Sequence, residues 1–169
     1  MKRQRVLQIA LVVLTVGWMA FTFVLSNEGG SQSSSLSDGV TKTVQKTFFK
    51  EWDSLPGSEY RDHMAGLHFF IRKAAHFSEF LVLGALIAGL LLSFRMSLLP
   101  SAVIAFAAGV LYAGSDEFHQ HFVSGRSPSA FDLLIDAAGV LFGIAILYAV
   151  LYLIRTAKKR IKADVPLES

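Results

Sequence analysis

The sequence contains no cysteine and has few charged residues for its length. Without cysteine the chain forms no disulfide, offers no thiolate nucleophile and cannot bind zinc through sulfur. Only 17% of the 169 residues are charged, whereas soluble domains carry about a quarter. Because hydrophobic residues make up 53% of the chain, the composition predicts a small integral membrane protein.

The sequence also lacks a basic patch interleaved with aromatic residues, which argues against nucleic-acid binding. The net charge is +3, and the basic residues concentrate near the two ends, in Met1–Arg5 and Arg155–Lys162. Basic segments of this kind are typical of the cytoplasmic side of a membrane, where they contact anionic lipid. We therefore expect membrane lipids, and no nucleic acid, as partners.

Four apolar runs are each long enough to cross the hydrocarbon core, which takes about 20 helical residues. They cover residues 6–25, 67–92, 98–118 and 131–154. The first run is longer than the apolar part of a signal peptide and ends without a small-residue cleavage site, which favours an uncleaved helix. The sequence predicts an all-α fold, an integral membrane four-helix bundle that forms one domain over residues 1–169.

The segment between the first two runs, residues 26–66, predicts a loop that contains a helix of its own. Ser26–Gly39 is polar and rich in serine, as flexible linkers are. From Val40 to Leu55 apolar residues recur on one face and lysines on the opposite face, which indicates an extra amphipathic helix. Two interpretations are open: the helix packs on the body of the protein, or it lies in the membrane interface.

The charge distribution also predicts the orientation of the chain. An even number of spans with basic ends places both termini in the cytoplasm of a multi-pass plasma membrane protein, and the loop over residues 26–66 outside. The second span then begins outside, the third ends outside and the fourth begins outside. We therefore expect the polar residues at these three helix ends to meet at the outer face.

Ionisable side chains interrupt the apolar runs at these ends, although such groups are costly within a membrane and commonly mark function. The second run carries a stripe of side chains at helical spacing, with Lys73 beside it: His68, Arg72, His76 and Glu79. The third run has a polar face, from which Glu117 and His121 point away: Asp116, His119 and Gln120. The fourth carries a stripe whose glycines suit close helix approach: Asp132, Asp136, Gly139 and Gly143.

These residues predict a polar pocket that contains cations, carboxylates and histidines. Arginine holds phosphate through a bidentate fork, and a histidine steered by a carboxylate acts as general base or acid. The predicted ligand-binding residues are Arg72, Lys73, Glu117, Gln120, Arg126, Asp132 and Asp136. In a catalytic pocket, the candidate residues are His76, Glu79, Asp116 and His119.

Several motifs, in the same order, resemble the VanZ-like family of small membrane proteins. The matching residues are Arg72-Lys73-x-x-His76-Phe77-x-Glu79, Ser115-Asp116-Glu117-x-x-Gln120-x-Phe122-Val123-x-Gly125-Arg126 and Asp132-x-x-x-Asp136-x-x-Gly139. The family is named for low-level resistance of bacteria to the glycopeptide teicoplanin, and no biochemical mechanism comes with the name. The resemblance implies a role in cell-envelope processes. Because glycopeptides act on cell-wall precursors at the outer face, an anionic lipid-linked precursor headgroup is the candidate ligand.

Other interpretations stay open beside plain binding. In one, the polar residues form a hydrogen-bonded network that only fixes helix packing. In another, the protein is a membrane-embedded hydrolase or transferase that acts on such a headgroup. A metal site has suitable ligand atoms in His76, Glu79, Asp116, His119 and Asp132. The sequence has no His-Glu-x-x-His motif and the neighbouring cations oppose a divalent ion, so no metal or cofactor is predicted. Four short spans without an inverted repeat give little support for transport.

Overall fold

The computed structural model describes residues 2–27, 30–123 and 129–164, and all regular structure in these ranges is helical. A short 3-10 helix over Lys50–Ser54 accompanies five α-helices: α1 (Lys2–Asn27), α2 (Gly30–Phe48), α3 (Gly57–Ser93), α4 (Leu98–Gln120) and α5 (Ala130–Asp164). Four of them, α1, α3, α4 and α5, are long and apolar enough to cross a membrane. The predicted all-α membrane bundle with one additional helix is confirmed.

The centre of the bundle is the close contact between α3 and α5. Lipid tails are as apolar as leucine, so helices in a membrane associate mainly through tight packing, which small residues permit. A Cβ atom on Gly143 would overlap the carbonyl oxygen of Leu81, and one on Gly84 would lie 2.8 Å from the Cα atom of Val140. The prediction that the glycines of the fourth run allow close helix approach is therefore confirmed.

Helix α1 lies at the edge of the bundle and is attached to it by polar contacts. Trp18 Nε1 donates a hydrogen bond to the carbonyl oxygen of Glu79 (2.9 Å), and the Tyr112 hydroxyl donates to that of Met19 (2.6 Å). Many apolar side chains of α1, such as Val13, are exposed on the bundle surface. In a membrane these side chains face lipid, and the hydrogen bonds fix the position of α1.

Helix α2 packs along the first turns of α3 and runs antiparallel to them. His68 Nε2 lies 3.3 Å from Asp38 Oδ1, without the alignment of a hydrogen bond. Further along, the rings of Trp52 and His63 stack with centroids 4.9 Å apart. Asp38 of α2 contacts His68, whereas Trp52, in the 3-10 helix that follows α2, contacts the earlier residue His63. The two segments therefore run in opposite directions and form a hairpin with α3. These contacts support the interpretation that the additional helix packs on the body of the protein.

The bounds and the packing face of α2 differ from the sequence prediction. The helix begins at Gly30 rather than Val40, and it ends at Phe48. Thr41 and Gln45, each 2% exposed, form its buried face, whereas Val40 (51%) and Phe48 (71%) are exposed. The buried Gln45 amide is satisfied locally, because its Nε2 donates to the carbonyl oxygen of Phe49 and to Oδ1 of Asp53 (3.1 Å each). Polar side chains with partners can therefore face α3.

Candidate functional site

Acidic side chains from α3, α4 and α5 come together at one end of the bundle. Asp136 interacts electrostatically with the other four members of this group, which we call the acidic cluster: Glu79, Asp116, Glu117, Asp132 and Asp136. The Asp136 side chain is 0% exposed, and Asp116, Glu117 and Asp132 are also buried. The fold thus places carboxyl groups from three separate segments of the sequence in one region.

Lys73 forms an ion pair in this region, with Asp132 at the beginning of α5. Their side chains are 11% and 12% exposed, and Lys73 Nζ also lies over the ring of Phe69, 5.1 Å from its centroid. Although Lys73 lies off the predicted stripe, it shares a helix face with Phe80 and Gly84, which contact α5. Lys73 therefore lies on the face of α3 that packs against α5.

The end of α4 is connected to the end of α1 through a chain of hydrogen bonds. Gln120 Nε2 donates to Oδ2 of Asp116 (2.9 Å) and to the hydroxyl of Ser26 (3.1 Å). One residue before Gln120, the ring of His119 packs on that of Phe23, with centroids 4.7 Å apart. The face of α4 that the sequence predicts as polar is thus the face that contacts α1.

Glu117 lies off the face of α4 that carries Asp116 and Gln120, as predicted, but it faces the beginning of α5 and not the surface. It is buried, and its Oε2 accepts a hydrogen bond from the backbone N–H of Ser129 (2.9 Å), just before α5 begins. A groove of about 430 Å³ lies beside it, lined by Glu117, Phe118, His121, Ser129, Ala130 and Leu133. His121 is exposed, as predicted for a side chain that points away from Asp116.

Several oxygens of the acidic cluster have no hydrogen-bond partner among the residues that the structure describes. They are buried oxygens of three side chains: Oδ1 of Asp116, Oε1 of Glu117, and Oδ1 and Oδ2 of Asp136. Buried polar atoms in folded proteins are nearly always paired. These oxygens can therefore accept hydrogen bonds from donors other than the described residues.

The remaining predicted residues occupy different positions around the cluster. Arg72 is half-buried on α3 and makes no hydrogen bond or ion pair with any other described residue. His76 and Glu79 are half-buried on the same helix, and both have interaction partners. Arg126 lies outside the described residues. Within the described ranges no three His, Asp or Glu side chains are arranged to hold a metal ion.

A family model described as VanZ/LLP1 matches residues 11–154, a range that contains the whole acidic cluster. No curated protein and no solved structure matches the chain.

Proposed function

Because the chain belongs to the VanZ/LLP1 family, we propose that it acts in the cell envelope, at the outer face of the plasma membrane. There it binds the headgroup of an anionic, lipid-linked cell-wall precursor and thereby lowers susceptibility to glycopeptides such as teicoplanin. The observation that carries the proposal is the meeting of buried ionisable side chains from three helices at one end of an apolar bundle. Such groups within membrane spans usually serve a function or pair with one another.

The charges around the site define the chemistry of the ligand. Lys73 is paired with Asp132, so Arg72 is the described cation that is available for a phosphate group. The unpartnered oxygens of Asp116, Glu117 and Asp136 need donors such as hydroxyl, amide or ammonium groups. A headgroup that combines phosphate with sugar hydroxyls or peptide amides satisfies both requirements, whereas a purely anionic ligand meets an excess of carboxylates.

Replacement of Arg72 by alanine tests this assignment. We expect the variant to fold, because the side chain is half-buried and makes no ion pair with the described residues. A hydrogen bond to a charged group contributes about 1.5–3 kcal/mol, so ligand affinity falls by about 10- to 100-fold. Teicoplanin susceptibility of expressing cells, measured beside the melting temperature of the purified variant, reports the effect.

Arg61→Ala is the matched control, because Arg61 is exposed near the beginning of the same helix. It should keep both the melting temperature and the resistance of the unchanged protein. A folded Arg72→Ala variant with unchanged susceptibility would remove Arg72 from the binding site.

A structural network is the second candidate function of these polar residues. It is favoured by the Lys73–Asp132 pair, which joins α3 to α5, and by the hydrogen bond from Gln120 to Ser26, which joins α4 to α1. If the network is purely structural, substitutions in it should lower the yield of folded protein in proportion to any loss of resistance. Catalytic roles stay predictions for four residues: His76, Glu79, Asp116 and His119. If the protein is an enzyme, substitution of one of them should abolish turnover while the protein still folds.

The proposed orientation is tested with single cysteines, which report without interference because the chain has none of its own. We expect Thr47→Cys, on the exposed side of α2, to react with an impermeant thiol reagent on intact cells. Lys158→Cys, near the end of α5, should react only after permeabilisation. The reverse pattern would place the acidic cluster at the cytoplasmic face and exclude a ligand of the outer leaflet.

A further inference from the structure

A second groove lies at the opposite end of the bundle from the acidic cluster, between α1 and the turn that joins α3 to α4. Its volume is about 400 Å³, and its lining consists of Arg5, Gln8, Ile9, Val12, Val13 and Phe94. Three aliphatic side chains and a phenyl ring form an apolar surface, and a guanidinium and an amide supply the polar part. The groove therefore has the amphipathic character of a lipid.

Polar contacts hold the two sides of this groove together. Gln8 Nε2 donates a hydrogen bond to the carbonyl oxygen of Ser93 (3.0 Å), and Gln4 Nε2 donates to the same oxygen (3.3 Å). Ser93 is the last residue of α3, where backbone carbonyls lack partners within the helix. The two glutamines thus fix the first turns of α1 against the end of α3 and define the spacing of the groove walls.

The two segments that line the groove carry positive charge and no acidic residue. Neither Lys2–Ser26 nor Phe80–Ser115 contains an acidic residue, whereas the adjoining ends of the helices carry several cations: Lys2, Arg3, Arg5 and Arg95. Basic pockets between membrane helices bind the headgroups of anionic lipids.

We propose that this groove binds an anionic phospholipid, with one acyl chain along Ile9, Val12 and Val13 and the phosphate at Arg5. The lipid would then contact α1 and the α3–α4 turn at once. Ser26 of α1 accepts a hydrogen bond from Gln120, which also donates to Asp116 of the acidic cluster. Lipid bound at one end of the bundle therefore stabilises a helix that borders the site at the other end.

The test uses the purified full-length protein in detergent, titrated with phosphatidylglycerol or with phosphatidylcholine of the same acyl chains. Native mass spectrometry measures the bound lipid, and the melting temperature measures its effect. One arginine near a membrane surface contributes about a five-fold difference in affinity. We expect Arg5→Gln to weaken phosphatidylglycerol binding by about five-fold, and Val12→Trp, which fills the groove without a change of charge, to weaken it at least as much.

Arg3→Gln is the matched control, because it removes one charge from the same turn of α1 but does not line the groove. It should keep phosphatidylglycerol binding within about two-fold. Equal losses in Arg3→Gln and Arg5→Gln would show diffuse attraction to a basic surface and overturn the proposal. Equal binding of the two lipids, or unchanged binding to Val12→Trp, would overturn it as well.

Discussion

Replacement of Gly143 by leucine is expected to abolish the folded bundle, and replacement by alanine to lower its melting temperature strongly. Even a single Cβ atom at this position would overlap the carbonyl oxygen of Leu81 and would lie 3.1 Å from the backbone nitrogen of Ala85. Both neighbours are backbone atoms of α3, so the clash is relieved only if α3 and α5 move apart. Overpacking usually costs about 1–3 kcal/mol, and we expect Gly143→Ala to reach about 3 kcal/mol.

The effect is measured as the yield of monodisperse protein and as the melting temperature in one detergent. Gly114→Ala is the matched control, because a Cβ atom on Gly114 meets nothing within 4 Å. Alanine favours a helix over glycine by about 1 kcal/mol, so the control should melt at the same or a higher temperature. Equal melting of the two alanine variants would contradict the close contact between α3 and α5.

The four long helices could be predicted from the sequence because a membrane leaves few other choices. A chain that crosses lipid must satisfy its backbone internally, so an apolar run of about 20 residues predicts a helix. The contact at Gly143 could also be predicted, since small residues four apart allow helices to approach. The packing face of α2 could not, because the apolar stripe rule assumes that polar side chains face water. Gln45 instead finds its partners in the protein and is buried.

The residues of the candidate site could also be predicted, but the neighbouring helix that each side chain faces could not. Successive residues of a helix are separated by about 100°, so periodicity shows that Asp116 and Glu117 point in different directions. It does not show which neighbours lie there. In the structure α4 contacts α1 on the side of Gln120 and the beginning of α5 on the side of Glu117, so both carboxyl groups are buried. Periodicity likewise places Lys73 off the polar stripe of α3 but does not show that α5 lies on that side, where Lys73 pairs with Asp132.

Replacement of Lys73 by methionine should destabilise the bundle by about 3–5 kcal/mol, because it leaves the charge of Asp132 buried without its partner. The double variant Lys73→Met/Asp132→Leu should recover most of this loss, since a buried ion pair exchanged for apolar side chains is often neutral or stabilising. Together with the single variant Asp132→Leu and the unchanged protein, these variants form a double-mutant cycle, in which melting in one detergent measures the coupling. Lys46→Met, at an exposed position of α2, should leave the melting temperature unchanged.

The double variant also distinguishes a structural network from a binding site, because it removes both charges while the protein is expected to stay folded. If Lys73 and Asp132 only fix the contact between α3 and α5, we expect the folded double variant to keep the proposed effect on teicoplanin susceptibility. If the pair takes part in recognition of the proposed headgroup, we expect the double variant to fold but to lose the proposed phenotype, as we also expect for Arg72→Ala. Failure of the double variant to recover stability would mean that the two charges have other partners, and the pair could then no longer be treated as an isolated bond between α3 and α5.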